Sequence, residues 1–205
     1  MRSSAPVHLV CYCDDCQGYA GWLEARRSEH GGSVTALDAQ GGSRTCQVFG
    51  ADVQVIAGGD QLHATVLDPA LVPARRPQQM LRLHSACCAT AMFSASWREL
   101  PTVGFYAAAV VAPAEGGAEA RGVAPDPSTG CWGEDPLLGA PQYRINTRWA
   151  RAVPGRPPPR GAAGFPLGFL LRFAVRNFLL YRDRRAPYPW ALPPPGQAEV
   201  RREQR

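Results

Sequence analysis

Cys11, Cys13 and Cys16 stand within Val10-Cys11-Tyr12-Cys13-Asp14-Asp15-Cys16-Gln17, three thiols in six residues. An apolar core gains nothing from crowding small sulfurs along one loop. A single turn of backbone, by contrast, converges a Cys-x-x-Cys pair on a borderline-soft ion such as zinc, with metal–sulfur distances of about 2.3 Å. The added Cys-x-Cys pair supplies three ligands from one segment. The fourth position then falls to another part of the chain, to water or to a substrate. Structural zinc sites close with four protein ligands, and catalytic ones leave one position open.

Disulfides are the competing explanation of clustered thiols. The chain has seven Cys, an odd number, and its N-terminus lacks the basic region, apolar run and small-residue cleavage site of a secretory leader. The expected compartment is the reducing cytoplasm, where neighbouring cysteines are metal ligands or redox groups. With 205 residues, 45% hydrophobic and 19% charged, the chain suits one folded domain with an appended tail and excludes disorder throughout. Basic residues number 22 against 17 acidic, a net charge of +5, and all of the basic ones are Arg. They are spread thinly, in small clusters at Arg26-Arg27, Arg75-Arg76, Arg182-Arg184-Arg185 and Arg201-Arg202, so nucleic acid is not the expected partner.

The hydrophobic pattern is mainly β. Residues 7–10 form an apolar lead-in that predicts a strand delivering the cysteine loop. Tyr19, Trp22 and Leu23 have helical spacing, which predicts a short helix over 17–25. Strands are predicted over 45–49, 53–57, 62–67, 80–84, 92–96 and 103–111, with breaks such as Gly58-Gly59. The expected organisation is a β domain over 1–112, a Pro/Gly-rich loop extension over 113–160, an apolar helix and Pro-rich segment over 161–192, and a polar disordered tail over 193–205. Cys131-Trp132 and Tyr143-Arg144-Ile145, inside the extension, read as a covering flap, and Arg156 to Arg160 as a stiff polyproline spacer. The span 165–181 reads as an amphipathic C-terminal helix with Arg172 and Arg176 on its polar stripe. Two readings of this helix stand: a helix packed on the sheet, or an interfacial helix on a membrane surface, drawn to anionic lipid by Arg182, Arg184 and Arg185.

A second cluster lies in Leu83-His84-Ser85-Ala86-Cys87-Cys88-Ala89-Thr90, after a predicted strand. Together with the first motif it resembles the glutathione-dependent formaldehyde-activating enzyme family, which includes centromere protein V and has the Mss4-like twisted β-sheet fold with a zinc-binding knuckle. The family's first motif, Cys-His-Cys-x-x-Cys-Gln, is matched by Cys11, Cys13, Cys16 and Gln17, with Tyr12 in place of the usual His. Its second, Phe-Cys-x-x-Cys-Gly-Thr, falls on His84 to Thr90. The resemblance covers residues 5 to 112 and implies zinc as cofactor and a divergent, largely uncharacterised bacterial branch.

The departures bear on function. Family members carry a structural zinc built from an N-terminal Cys-x-Cys pair and the two Cys of the second motif. In this chain ten residues precede Cys11 without such a pair, and Ser85 stands where a structural thiol would be, so the expectation is that this zinc is lost. Cys88, with Cys87, is then the candidate fourth ligand to the remaining ion, and burial of both as small apolar groups is the alternative. The resemblance implies a carbon-sulfur lyase activity like that of an S-(hydroxymethyl)glutathione synthase, with glutathione or a small thiol adduct as the partner. The rival is a non-catalytic zinc-stapled binding module, membrane-peripheral through its C-terminal helix. Asp14 and Asp15 read as loop charges or as groups hydrogen-bonding beside the metal. His84 and His8 read as structural or as a ligand or base. Cys46 and Cys131 are isolated and read as chemically idle.

Overall fold

The computed structural model describes residues 6–27, 36–49, 53, 55, 57–67, 80–96, 102–109, 125, 128, 132–134, 138–175 and 199–201. Its frame is one mixed eight-stranded sheet. The strands are β1 (Val7–Cys11), β2 (Ser43–Phe49), β3 (Leu62–Leu67), β4 (Met80–Ser85), β5 (Ala91–Ser96), β6 (Thr102–Tyr106), β7 (Tyr143–Ile145) and β8 (Glu199–Arg201), and the helices are α1 (Asp14–Arg27) and α2 (Leu167–Ala174). The sheet order is β7-β1-β2-β6-β5-β4-β3-β8. Its centre is antiparallel, and the two edge pairs, β1 with β7 and β3 with β8, are parallel.

β1 is buried on both faces, and alternation along the strand explains how. Val7, Leu9 and Cys11 face a cluster with Cys16, Ile145 and Phe169. Val10, and Tyr12 just past the strand, join Ala107 and Trp132 instead. α1 begins immediately after the cysteine loop. Asp14 and Asp15 occupy its first turn and Arg26 and Arg27 its last, both favourable to the helix dipole. Its buried residues, Cys16, Tyr19, Ala20, Leu23 and Arg27, recur at three- and four-residue intervals and form one face. Tyr19 and Leu23 on that face pack with Ala89, Ala91 and Tyr106. A further cluster, Ala64, Val66, Leu81, Leu83 and Phe93, fills the β3–β5 end of the sheet.

Several expectations change. The helix after the cysteine loop begins at Asp14, so Cys16 lies in its first turn rather than ahead of it. Val53, Val55 and Ala57 are not in a strand. The strand expected over 103–111 ends at Tyr106 and gives way to a 3-10 turn over Ala107–Ala109. Tyr143-Arg144-Ile145, read as a flap, is an edge strand paired in parallel with Leu9, Val10 and Cys11. Glu199–Arg201, within the stretch read as a disordered tail, pairs with Thr65, Val66 and Leu67, because an uncovered sheet edge offers backbone partners that composition does not reveal. α2 covers Leu167–Ala174 of the expected 165–181 helix, and 176–181 lies outside the described residues.

Candidate metal centre

Cys11 ends β1, Cys13 follows two residues later, and Cys16 sits in the first turn of α1. Their sulfurs all lie within 4.8 Å of one another, and among the described residues no other group of His, Cys, Asp or Glu side chains could hold a metal ion. Three ligands of a tetrahedral ion at about 2.3 Å stand about 3.8 Å apart, so the cluster fits a zinc-sized thiophilic ion with little adjustment. Cys11 and Cys16 are buried and Cys13 is partly exposed, which makes Cys13 the side open to solvent. The aromatic rings of Tyr143 and Phe173 pack against the same cluster, and Phe169 is buried within it.

The backbone that holds this loop is pinned from distant segments. Tyr12 donates its N–H to the Ile145 carbonyl at 3.2 Å. Gln17 donates its amide to the Tyr12 carbonyl at 2.7 Å and to the Trp149 carbonyl at 2.9 Å, while its own carbonyl accepts from Arg151 at 2.7 Å. The glutamine of the first motif is therefore a clip between the loop and the 146–151 segment. Tyr12, in the position where the resemblance leads one to expect His, belongs to the opposite core cluster from the thiols. It donates to Asp38 at 3.2 Å and accepts from Arg144 at 2.8 Å. Asp38 also caps the Gly42 and Gln40 N–H groups, at 2.7 and 3.0 Å, and burial raises its pKa against those bonds.

Among the described residues, two side chains outside the cluster donate hydrogen bonds to its sulfurs. Asn146, held in the left-handed region at φ 57°, donates its amide to Cys11 Sγ at 3.4 Å. Arg82 donates to Cys16 Sγ at 3.6 Å and pairs with Asp15 and the Tyr106 hydroxyl. Asp15 thus acts beside the cluster through Arg82, whereas Asp14 is exposed and accepts from the Asp15 N–H. Neither Asn146 nor Arg82 was anticipated as a site residue. Arg82 left a signal, a lone charge between Leu81 and Leu83 in an apolar strand, whereas Asn146 left none.

The three thiols share protons unequally. Hydrogen bonds from Cys13 and Cys16, joined by the Asn146 amide, pull the Cys11 thiol down to about 3 although burial opposes ionisation. Cys13, bonded to the charged Cys11, is pushed up to about 12, and Cys16 rises well above its ordinary value through the same two neighbours and its burial. Ionisation is thus favoured at Cys11 and opposed at Cys13 and Cys16, and a divalent cation bound among the three sulfurs would displace the remaining thiol protons.

Cys87 and Cys88 are not part of the thiolate cluster. Cys87 is exposed, and Cys88 lies in a turn with its sulfur 2.9 Å from the Ser85 hydroxyl and 3.1 Å from that of Thr90. Burial opposes ionisation of Cys88, yet the two hydroxyls outweigh it and bring its thiol below the usual value. The Ser85 and Thr90 hydroxyls thus hold the Cys88 thiol within its own turn. His84 is buried, edge-on to Trp22 at 5.3 Å and 5.9 Å from the His63 ring, and desolvation with His63 and Arg26 pushes it down to about 4. His8 faces Cys46 across the β1–β2 pair at 3.6 Å. Cys131 lies outside the described residues. No family model, no curated protein and no solved structure matches the chain.

Proposed function

We propose that the chain is a zinc protein of the Mss4-like kind, in which Cys11, Cys13 and Cys16 hold the ion and the fourth position receives a small thiol such as glutathione. The observation that carries this reading is the convergence of three sulfurs with no fourth protein donor among the described residues. An ion held there supplies Lewis acidity that keeps a bound thiol ionised beside an electrophile such as formaldehyde. The chain's own groups do the rest. Asn146 and Arg82 donate to Cys11 and Cys16, drawing charge from those sulfurs and fixing their orientation. Phe169 and its aromatic neighbours keep water from the buried side. The partly exposed Cys13 side is where a substrate thiol would approach. The corresponding activity is a carbon-sulfur lyase step, the joining of glutathione to formaldehyde or its reversal.

Metal analysis of protein purified without added zinc tests the ligand set. Expected is one zinc per chain, lost in Cys13→Ser and retained in Cys88→Ser and Cys131→Ser. Loss of zinc in either of the last two would replace the open site by a closed four-thiolate one. For the activity, NMR exchange between formaldehyde and glutathione is expected to be faster with the zinc-loaded protein than without it, and an unchanged rate would leave a non-catalytic module.

A further inference from the structure

Cys87 and Cys88 are adjacent thiols that the metal centre leaves unused. They sit in the turn that joins β4 to β5, and its backbone is closed at both ends. The Ser85 N–H donates to the Thr90 carbonyl at 3.0 Å, the Ala89 N–H to the Ser85 carbonyl at 3.0 Å, and the Ala86 N–H to the Gln61 carbonyl at 2.8 Å. Ala89, next in the chain, is buried against Tyr19, Leu23 and Tyr106 of the core.

The two thiols differ in their surroundings. Cys87 is exposed, whereas Cys88 is partly buried and set among donors. Its sulfur lies 2.9 Å from the Ser85 hydroxyl and 3.1 Å from that of Thr90. Ser85 Oγ already accepts from the Thr90 N–H at 3.2 Å, which leaves the hydroxyl proton for the sulfur. The Cys87 thiol bonds to the same sulfur. Burial works against ionisation of Cys88, and these bonds more than offset it. The thiolate is the form that attacks an electrophile, and a hydroxyl beside it can pass a proton to the group that leaves. A second thiol in contact with that sulfur is placed to discharge its oxidised form.

We propose that Cys88, assisted by the Ser85 and Thr90 hydroxyls, is a modification site for hydroperoxides, with Cys87 as its resolving thiol. The Cys88 thiolate attacks one peroxide oxygen and the O–O bond breaks. Sulfur is oxidised to the sulfenic acid, and the departing alkoxide or hydroxide takes a proton by way of a hydroxyl and leaves as alcohol or water. The Cys87 sulfur then attacks that of Cys88. A disulfide forms, the S–O bond breaks, and the oxygen leaves with the Cys87 proton as water. Neighbouring Cα atoms stand about 3.8 Å apart, inside the span of about 4.4–6.8 Å that ordinary disulfides bridge, so the bond is strained and readily reduced by small thiols. The modification is therefore reversible, and it does not depend on an ion at Cys11, Cys13 and Cys16.

The test treats the full chain with hydrogen peroxide, alkylates the remaining thiols, cleaves after Arg and weighs the peptides. Residues 83–98 form one such peptide, which contains Cys87 and Cys88 and no other cysteine, so a loss of two hydrogens there reports the bond between them. Expected is formation of that bond about tenfold faster than oxidation of glutathione in the same solution, reversed by dithiothreitol. Cys87→Ser stops at the sulfenic acid on Cys88, trapped with dimedone. Cys87 is exposed, so this variant keeps the fold, as checked by circular dichroism. Thr90→Val preserves the shape of the side chain, removes one donor and slows the bond about fivefold. A rate no faster than that of glutathione, dimedone on Cys87 in place of Cys88, an unslowed Thr90→Val, or a bond joining two chains through Cys87 would each overturn the proposal.

Discussion

Replacing Phe169 by Ala separates two ways in which the thiolate cluster could be sheltered. Phe169 is 5% exposed and packs among Val7, Leu9, Cys11, Cys16 and Ile145. Its ring centre lies 5.5 Å from Tyr143, 5.6 Å from Phe165 and 6.0 Å from Phe173. An isolated short helical segment does not persist in water, so the described part of α2, Leu167–Ala174, depends on this ring and Phe173 for its place. Truncating a buried Phe costs about 3–5 kcal/mol, and the lower figure applies here because α2 can leave the core as a unit instead of retaining a cavity. A loss of about 3 kcal/mol from docking alone raises the undocked fraction on the order of a hundredfold. The assay is alkylation of the metal-free protein under native conditions, with labelled cysteines identified by mass spectrometry, beside a urea unfolding curve. Expected is a rise of about a hundredfold in the labelling rates of Cys11 and Cys16, with a much smaller change at the partly exposed Cys13. Lost stability with unchanged labelling would refute the reasoning, since the ring would then belong to the global core and α2 would not shield the thiols.

His84 gives a pH dependence with a definite sign. Its folded pKa of about 4 lies below the unfolded value near 6.5, so the fold favours the neutral ring. The stability it supports is complete above about pH 6.5 and is lost as pH falls towards 4, about 3 kcal/mol in total. Urea midpoints measured across that window should fall in the wild type and flatten in His84→Phe, and parallel curves would refute the assignment. A Cβ added at Gly42 would lie 2.6 Å from Val10 Cγ1 and 2.7 Å from both Asp38 Oδ2 and Tyr12 Cε1. Gly42→Ala is therefore expected to cost about 1–3 kcal/mol, read as a lowered thermal midpoint, and an unchanged midpoint would show that the Tyr12–Asp38 side of the loop is loosely packed.

The sequence announced what local pattern controls. The strand over 62–67 emerges with the bounds its alternation predicts, and the cysteine spacing alone brings three sulfurs together. What it concealed depends on distant pairing. Tyr143-Arg144-Ile145 has too short a run to declare itself a strand, and becomes one because β1 presents a free edge. Asn146 reaches Cys11 only through that pairing. The 53–57 segment shows the opposite failure: apolar residues at alternate positions satisfy the pattern, but Val53, Val55 and Ala57 take no place in the sheet. The sequence could not show that the nearest polar partners of Cys88, Ser85 and Thr90, are local and hold the thiol within its own turn.

The parallel pairing of β1 with β7 also has a consequence for how the chain is made. Asn146 and Cys11 are 135 positions apart, and the Gln17 clip reaches equally far forward, to Trp149 and Arg151. At ribosomal rates the cysteine loop leaves the tunnel on the order of ten seconds before the segment that completes its surroundings. During that interval the three thiols are close together in sequence and lack the segment that later covers them. Metal acquisition, or capture by a wrong thiophilic ion, can therefore occur on the nascent chain before the finished site exercises any choice.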